Sequence, residues 1–190
     1  MAKKSLITLG GLPGSGKSTV RRILIEKFGY ATFSTGDMMR SIAADRGMTL
    51  EELNHESSRN KDIDLLIDEK MIEIEKVGDH MIVDSILGYH FVPSAFHVFL
   101  SISLEESARR ILSDRNAHTR VQSGDIYETL EEAEAHIKVR IHNHQERYKK
   151  HYGLDPYNTD QYDLVVDTGK YTPAEVANIV IDAYEKWQHV

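Results

Sequence analysis

A chain of 190 residues with 41% hydrophobic and 28% charged residues is long enough for one domain with a sizeable core and too apolar to remain disordered. Thirty acidic against 23 basic side chains leave a net charge of −7, which argues against nucleic acid or an anionic membrane surface as partner. The absence of cysteine removes disulfides, thiolate metal sites, iron–sulfur clusters and thiol nucleophiles together.

In chain order, the basic start Lys3-Lys4 leads into an apolar stretch too short for a signal peptide, and no run approaches the ~18 residues of a membrane span. The expectation is a cytoplasmic protein, a monomer or weak homodimer. Leu6-Ile7-Thr8-Leu9 reads as a strand. After a glycine-rich loop, Val20, Ile23, Leu24 and Phe28 form one helical face that Gly29 closes. Tyr30-Ala31-Thr32-Phe33 is a second, shorter strand. Residues 36–76 are charged and largely helical. Met81-Ile82-Val83 and Phe96-His97-Val98-Phe99-Leu100 are the third and fourth strands, residues 116–128 show no clear period, and Tyr162-Asp163-Leu164-Val165-Val166 is the fifth strand.

Helix starts are marked by the S/T-x-x-E pattern at Thr49, Ser103, Thr129 and Thr172, where a hydroxyl caps a free amide and the glutamate reaches back. Pro173 occupies the first position of the last helix, whose stripe Val176, Ile179, Val180, Tyr184 and Trp187 should pack on a sheet. Apolar runs bounded by turns and alternating with helices define an α/β chain with a parallel sheet covered on both faces. Segments 36–76 and 116–128 stand out of that alternation as insertions over one edge.

The residues Gly11-Leu12-Pro13-Gly14-Ser15-Gly16-Lys17-Ser18 match G-x-x-x-x-G-K-[ST] between a strand and a helix, the setting that motif needs. Glycines let backbone N–H groups converge on a phosphate, and the helix N-terminus adds its field. Gly11, Gly14, Ser15, Gly16, Lys17, Ser18 and Thr19 therefore form a candidate ATP site, with Lys17 reaching the β- and γ-phosphates and Ser18 ligating Mg²⁺. A GTP switch also needs D-x-x-G and N-K-x-D. The first is absent, and Asn60-Lys61-Asp62 is followed by Ile63.

Beyond the loop, Ser34-Thr35-Gly36-Asp37-Met38-Met39-Arg40 resembles the acceptor segment of the nucleoside monophosphate kinases. The likeness is nearest to the short archaeal-type cytidylate kinases, through Gly47-Met48-Thr49-Leu50-Glu51-Glu52, Ile63-Asp64 with Asp68, the pair Arg140 and Arg147, and the segment from Tyr162 to Thr168. The resemblance implies a P-loop fold with a core of residues 1–35, 77–115 and 155–190, an acceptor-binding segment 36–76 and a lid 116–154.

It also implies roles. Thr35, Asp37 and Arg40 would bind the acceptor, Arg40 at its α-phosphate. Arg140 and Arg147, on one helix face by their spacing, would join Lys17 at the transferring phosphoryl group. Arg110 and Arg115 would face ATP, and Asp84, ending the third strand, would orient Mg²⁺ through water. His144 and the other histidines read as solvated surface groups. Where cytidylate kinases carry Glu-Gly-Arg, this chain has Asp84-Ser85-Ile86, and Ser34-Thr35-Gly36 is nearer to adenylate kinases. The expected activity is ATP-dependent phosphorylation of CMP or dCMP. AMP phosphorylation, a small-metabolite kinase with Asp37 or Asp84 as base, and nucleotide binding without turnover stay open.

Overall fold

The computed structural model describes residues 3–113 and 127–189. Among these, five parallel strands form one sheet: β1 (Leu6–Gly11), β2 (Ala31–Ser34), β3 (Met81–Asp84), β4 (Phe96–Ser101) and β5 (Leu164–Asp167), in the order β2-β3-β1-β4-β5. The expected α/β class with a five-stranded parallel sheet flanked by helices is what the chain adopts. The strand β1 lies at the centre and is buried along its whole length. Its side chains alternate between the faces, as strand geometry requires. Ile7 and Leu9 meet α1 (Lys17–Phe28) and the C-terminal helix α8 (Pro173–Gln188) through Val20, Leu24, Val176, Val180 and Tyr184, whereas Leu6 turns to the opposite face.

That opposite face is covered by the expected acceptor-binding helices: α2 (Thr35–Asp45), α3 (Leu50–Arg59) and α4 (Asp62–Val77) bring Met39, Leu53, Ile63, Met71 and Ile74 onto Leu6 and Val83. A short α5 (Gly88–Phe91) links β3 to β4. The helix α6 (Leu104–Ser113) follows β4 and packs on the long α7 (Leu130–Tyr152) through Ala108, Ala133 and Ile137. A 3₁₀ turn (Thr159–Gln161) precedes β5. That strand starts later than the sequence suggests; Tyr162 precedes it and lies over Gly10, its single O–H within reach of the carbonyls of Ile86 at 3.1 Å and Pro156 at 3.2 Å.

Reciprocal capping boxes form at Thr49, Thr129 and Thr172. At Ser103 only half the box is made. Its hydroxyl accepts from the Glu106 amide, while the Glu106 carboxylate is taken by Arg110. Register places Asp84 opposite both Leu9 and Ser34, so the start of the glycine-rich loop, the end of β3 and the start of α2 share one edge of the sheet. From that edge the connections leaving β1 and β3 run to opposite sides, which opens a crevice at the carboxyl ends of the strands.

Candidate active site

The loop after β1 is shaped by positive-φ glycines. Gly14 has φ 69°, and a Cβ there would stand 2.6 Å from the Ser107 hydroxyl, which itself donates to the Pro13 carbonyl at 2.7 Å. A side chain at Gly14 would therefore push α6 off the loop. At the start of α1 the Thr19 and Val20 amides both donate to the Gly16 carbonyl at 3.0 Å, and the amides of Lys17 and Ser18 precede the first intrahelical bond. The Ser15 hydroxyl is buried without a hydrogen-bond partner among the described residues, an orphan polar group of the kind a phosphate oxygen satisfies. Lys17 donates to the carbonyls of Gly11 and Leu12, both at 3.0 Å. Burial lowers its pKa to about 8, with Asp84 opposing the shift and Arg140 adding to it.

A cavity of about 620 Å³ runs from this cradle across the ends of the strands to α4 and α7. Gly11, Gly14, Ser15, Gly16, Lys17, Ser18, Thr19 and Arg110 line one end of it; Thr35, Arg40, Asp84, Arg140 and Arg147 line the remainder. Asp37 sits at its mouth, paired with Arg40 and at 2.9 Å from Arg21. Despite the cost of partial burial, Arg40 and Arg21 hold its carboxyl below the usual range. The Thr35 hydroxyl donates to the Asp84 carbonyl at 3.3 Å. Arg110 is fixed by Glu106 and by the Thr168 carbonyl at 2.7 Å, beside the loop. Arg115 lies outside the described residues.

Arg147 departs from the expected arrangement. Its guanidinium makes a bidentate pair with Asp64 on α4, Nε to carboxylate at 3.0 Å, and also approaches the Asn54 amide oxygen at 3.4 Å. Both partners are almost wholly buried, at 5% and 4% exposure. With Nε and Nη2 held by the carboxylate, the guanidinium ties α7 to α4 as a strut while the residue still lines the cavity. Arg140, two turns away, borders the cavity next to Lys17.

Three groups at the site were given no role there by the sequence reading. Arg21 lies one turn after Lys17 on α1 and bridges Asp37 and Asp84, the latter at 3.5 Å, so charges alternate from Arg40 through Asp37, Arg21 and Asp84 to Lys17. The i,i+4 spacing from the loop lysine was the available signal. His144, read as a surface group, instead borders the cavity and meets the Tyr157 hydroxyl at 3.1 Å. Asp68 lines the far end among Met39, Leu50, Ile67 and Met71. Its carboxylate accepts from the Tyr152 hydroxyl at 2.7 Å, and desolvation raises its pKa to about 6.

A phosphate cradle, an adjoining acceptor cavity and convergent cations on a parallel sheet define a P-loop phosphotransferase. A family model described as an AAA domain matches residues 10–131. A cytidylate kinase from Methanocella arvoryzae is 32% identical over 95% of this chain and 97% of its own. An S-adenosylmethionine-dependent nucleotide dehydratase from Lacinutrix mariniflava is 34% identical over 96% of this chain, which spans only 36% of that longer protein. Among solved structures, shikimate kinase from Bacteroides thetaiotaomicron superposes with a TM-score of 0.63 at 13% identity, covering 95% of this chain and 98% of that one, a likeness of fold. The chain belongs to the cytidylate kinase family of P-loop proteins, and it is an ATP-dependent phosphotransferase.

Proposed function

We propose that the protein transfers the γ-phosphoryl group of ATP to a nucleoside monophosphate, with CMP and dCMP the favoured acceptors. The observation that carries this reading is the single cavity joining the loop to an apolar slot whose far end presents Asp68. A planar base fits between Met39, Leu50, Ile67 and Met71, and the carboxylate of Asp68 asks for a donor such as the exocyclic amine of cytosine. AMP would call on Thr35, whose hydroxyl is already committed to the Asp84 carbonyl.

In this reading the loop amides, the Ser15 hydroxyl and Lys17 hold the triphosphate of ATP, with Arg110 at its flank. Arg40 and Arg140 neutralise the acceptor and the transferring group, and Arg147 positions α7 through Asp64. Ser18 and, through water, Asp84 would hold Mg²⁺, which supplies neutralisation of charge on the β- and γ-phosphates. The acceptor oxygen is already anionic, so no side chain has to remove a proton and catalysis reduces to orientation and charge. A kinase of alcohols needs a carboxylate free to act as base. Here Asp37 is engaged by two arginines and Asp84 lies between Arg21 and Lys17, which favours a phosphate acceptor. The Lacinutrix relative, named for action on nucleotides, accords with nucleotide chemistry for this segment.

The test is ADP release from Mg·ATP with AMP, CMP, dCMP, UMP, GMP, shikimate and gluconate supplied singly. Preference for CMP and dCMP, shifted toward UMP by Asp68→Asn, which adds a donor where only an acceptor stood, supports the reading. Turnover of shikimate or gluconate alone would overturn it.

A further inference from the structure

The helix face that carries Arg140 and Arg147 carries His144 between them, at i, i+4 and i+7. Its ring borders the cavity, and its Nδ1 edge meets the hydroxyl of Tyr157, on the turn that follows α7. A largely buried phenol whose O–H donates to nothing is costly. When the Tyr157 hydroxyl donates across this 3.1 Å contact, Nδ1 accepts and the ring proton resides on Nε2, the tautomer on which the proposal below is built. Nε2 lies on the opposite ring edge, the edge left free for a ligand in the cavity that His144 lines together with Lys17 and Arg140; His144 also borders a second cavity, between α3 and α7.

Several charged and polar groups act on the ring: Arg140 and Arg147 of α7 and Lys17 of α1 through their charge, Tyr148 by a ring contact at 5.7 Å, Tyr157 from the turn, with Asp64 of α4 paired to Arg147 and α3 bordering the second cavity. Burial, then Arg140, Arg147 and Lys17, push the imidazole pKa down to about 3, so the ring is neutral throughout any working range. A further cation here would repel Lys17 and Arg140, whereas a neutral imidazole adds a directional donor without that repulsion.

We propose that His144 is a catalytic hydrogen-bond donor to the transferring phosphoryl group, its Nε2–H aimed between Lys17 and Arg140, with Tyr157 as the positioning residue that fixes the tautomer. The inference rests on the nucleoside monophosphate kinase reading above. It involves no proton transfer: the donor strengthens its hydrogen bond as charge gathers on the phosphoryl oxygens and returns to its starting state afterwards.

Two measurements test it. Nitrogen-15 chemical shifts of the ligand-free protein, with the His144 signals assigned by their loss in His144→Gln, report the tautomer independently of activity. The expected result is Nε2–H, unchanged across the neutral range, with a mixture of tautomers in Tyr157→Phe. In steady-state assays with CMP, His144→Gln places an amide nitrogen where Nε2 stood and keeps kcat within about threefold, whereas His144→Asn, whose nitrogen falls at the Nδ1 position, lowers kcat about tenfold with the acceptor KM little changed. An Nδ1–H tautomer, an imidazolium titrating near neutral pH, or His144→Asn as active as His144→Gln would each overturn the proposal while wild-type turnover stands. A wild type that phosphorylates no nucleoside monophosphate would instead overturn the reading beneath it.

Discussion

Replacing Arg147 by methionine separates its two possible roles. In the structure its guanidinium is bound edge-on by Asp64, with both side chains at least 95% buried. Methionine fills similar volume but leaves the Asp64 carboxylate desolvated and uncompensated. Breaking a buried pair by removing one partner costs about 3–5 kcal/mol. With a urea dependence of about 1–3 kcal/mol per molar, the unfolding midpoint should fall by about 1–5 M. Removing both charges, in Arg147→Met with Asp64→Leu, should recover most of that loss, because two well-packed apolar side chains replace an ion pair at little net cost. The assay is urea unfolding followed by circular dichroism for the wild type, both single variants and the double, read as a double-mutant cycle. A loss for Arg147→Met below about 0.5 kcal/mol, the range of ordinary surface changes, together with a collapse of kcat, would refute the strut and restore the arginine to direct contact with the phosphoryl group.

Lys17→Met should abolish turnover, and in the same unfolding assay it should lack the rise in stability that the wild type shows between about pH 8 and 10.5. The lysine pKa falls from 10.5 to about 8 on folding, so its charge is a cost below pH 8 that is relieved as the pH rises toward 10.5. For the same reason ATP affinity, followed by calorimetry, should weaken as the pH passes upward through about 8, where Lys17 loses its proton. Folding raises the Asp68 pKa from 3.8 to about 6, so this group makes the protein bind more protons when folded and lowers its stability as the pH climbs through that window. Asp68→Asn should remove that downward component, seen as a difference between the two pH–stability curves that grows up to about pH 6 and then stays level. Gly14→Ala should weaken ATP binding at least about tenfold, since it combines a disfavoured positive φ with a contact of 2.6 Å to Ser107; unchanged affinity would show that α6 yields freely.

The features written in the sequence were those set by neighbours along the chain. The loop from Gly11 to Thr19, the caps at Thr49, Thr129 and Thr172 and the alternation of Ile7 and Leu9 with Leu6 each depend on a few adjacent residues. What escaped depends on contacts between distant elements. Arg147 and Asp64 are 83 positions apart, and nothing in the spacing of Arg140 and Arg147 reveals that one of them meets a carboxylate across a helix interface. His144 lies on a charged, amphipathic helix that looks solvated from its composition, and only the packing of α7 brings its ring to Tyr157 and into the lining of the cavity that also holds Lys17. Ser103 shows a finer limit. Its pattern matches a capping box, but Arg110 one turn beyond Glu106 competes for the same carboxylate and takes it. At both ends of the cavity, therefore, the sequence pointed to residues that line it, Lys17 and Ser18 at the loop and Thr35 and Arg40 beyond it, whereas the partners that orient Arg147 and His144 could not be read from local spacing.

The long helix α7 has 23 residues and so spans about 35 Å. Its first half rests on α6, which itself holds the phosphate loop through Ser107, and its second half is tied to α4 by Arg147 with Asp64 and Tyr152 with Asp68. A rod fastened at both ends cannot tilt at one without shifting at the other. On the proposed reading, an acceptor settling against Asp68 would load the same body that carries Arg140, and thermodynamic linkage then requires that whatever factor the acceptor added to ATP affinity, ATP would return to the acceptor.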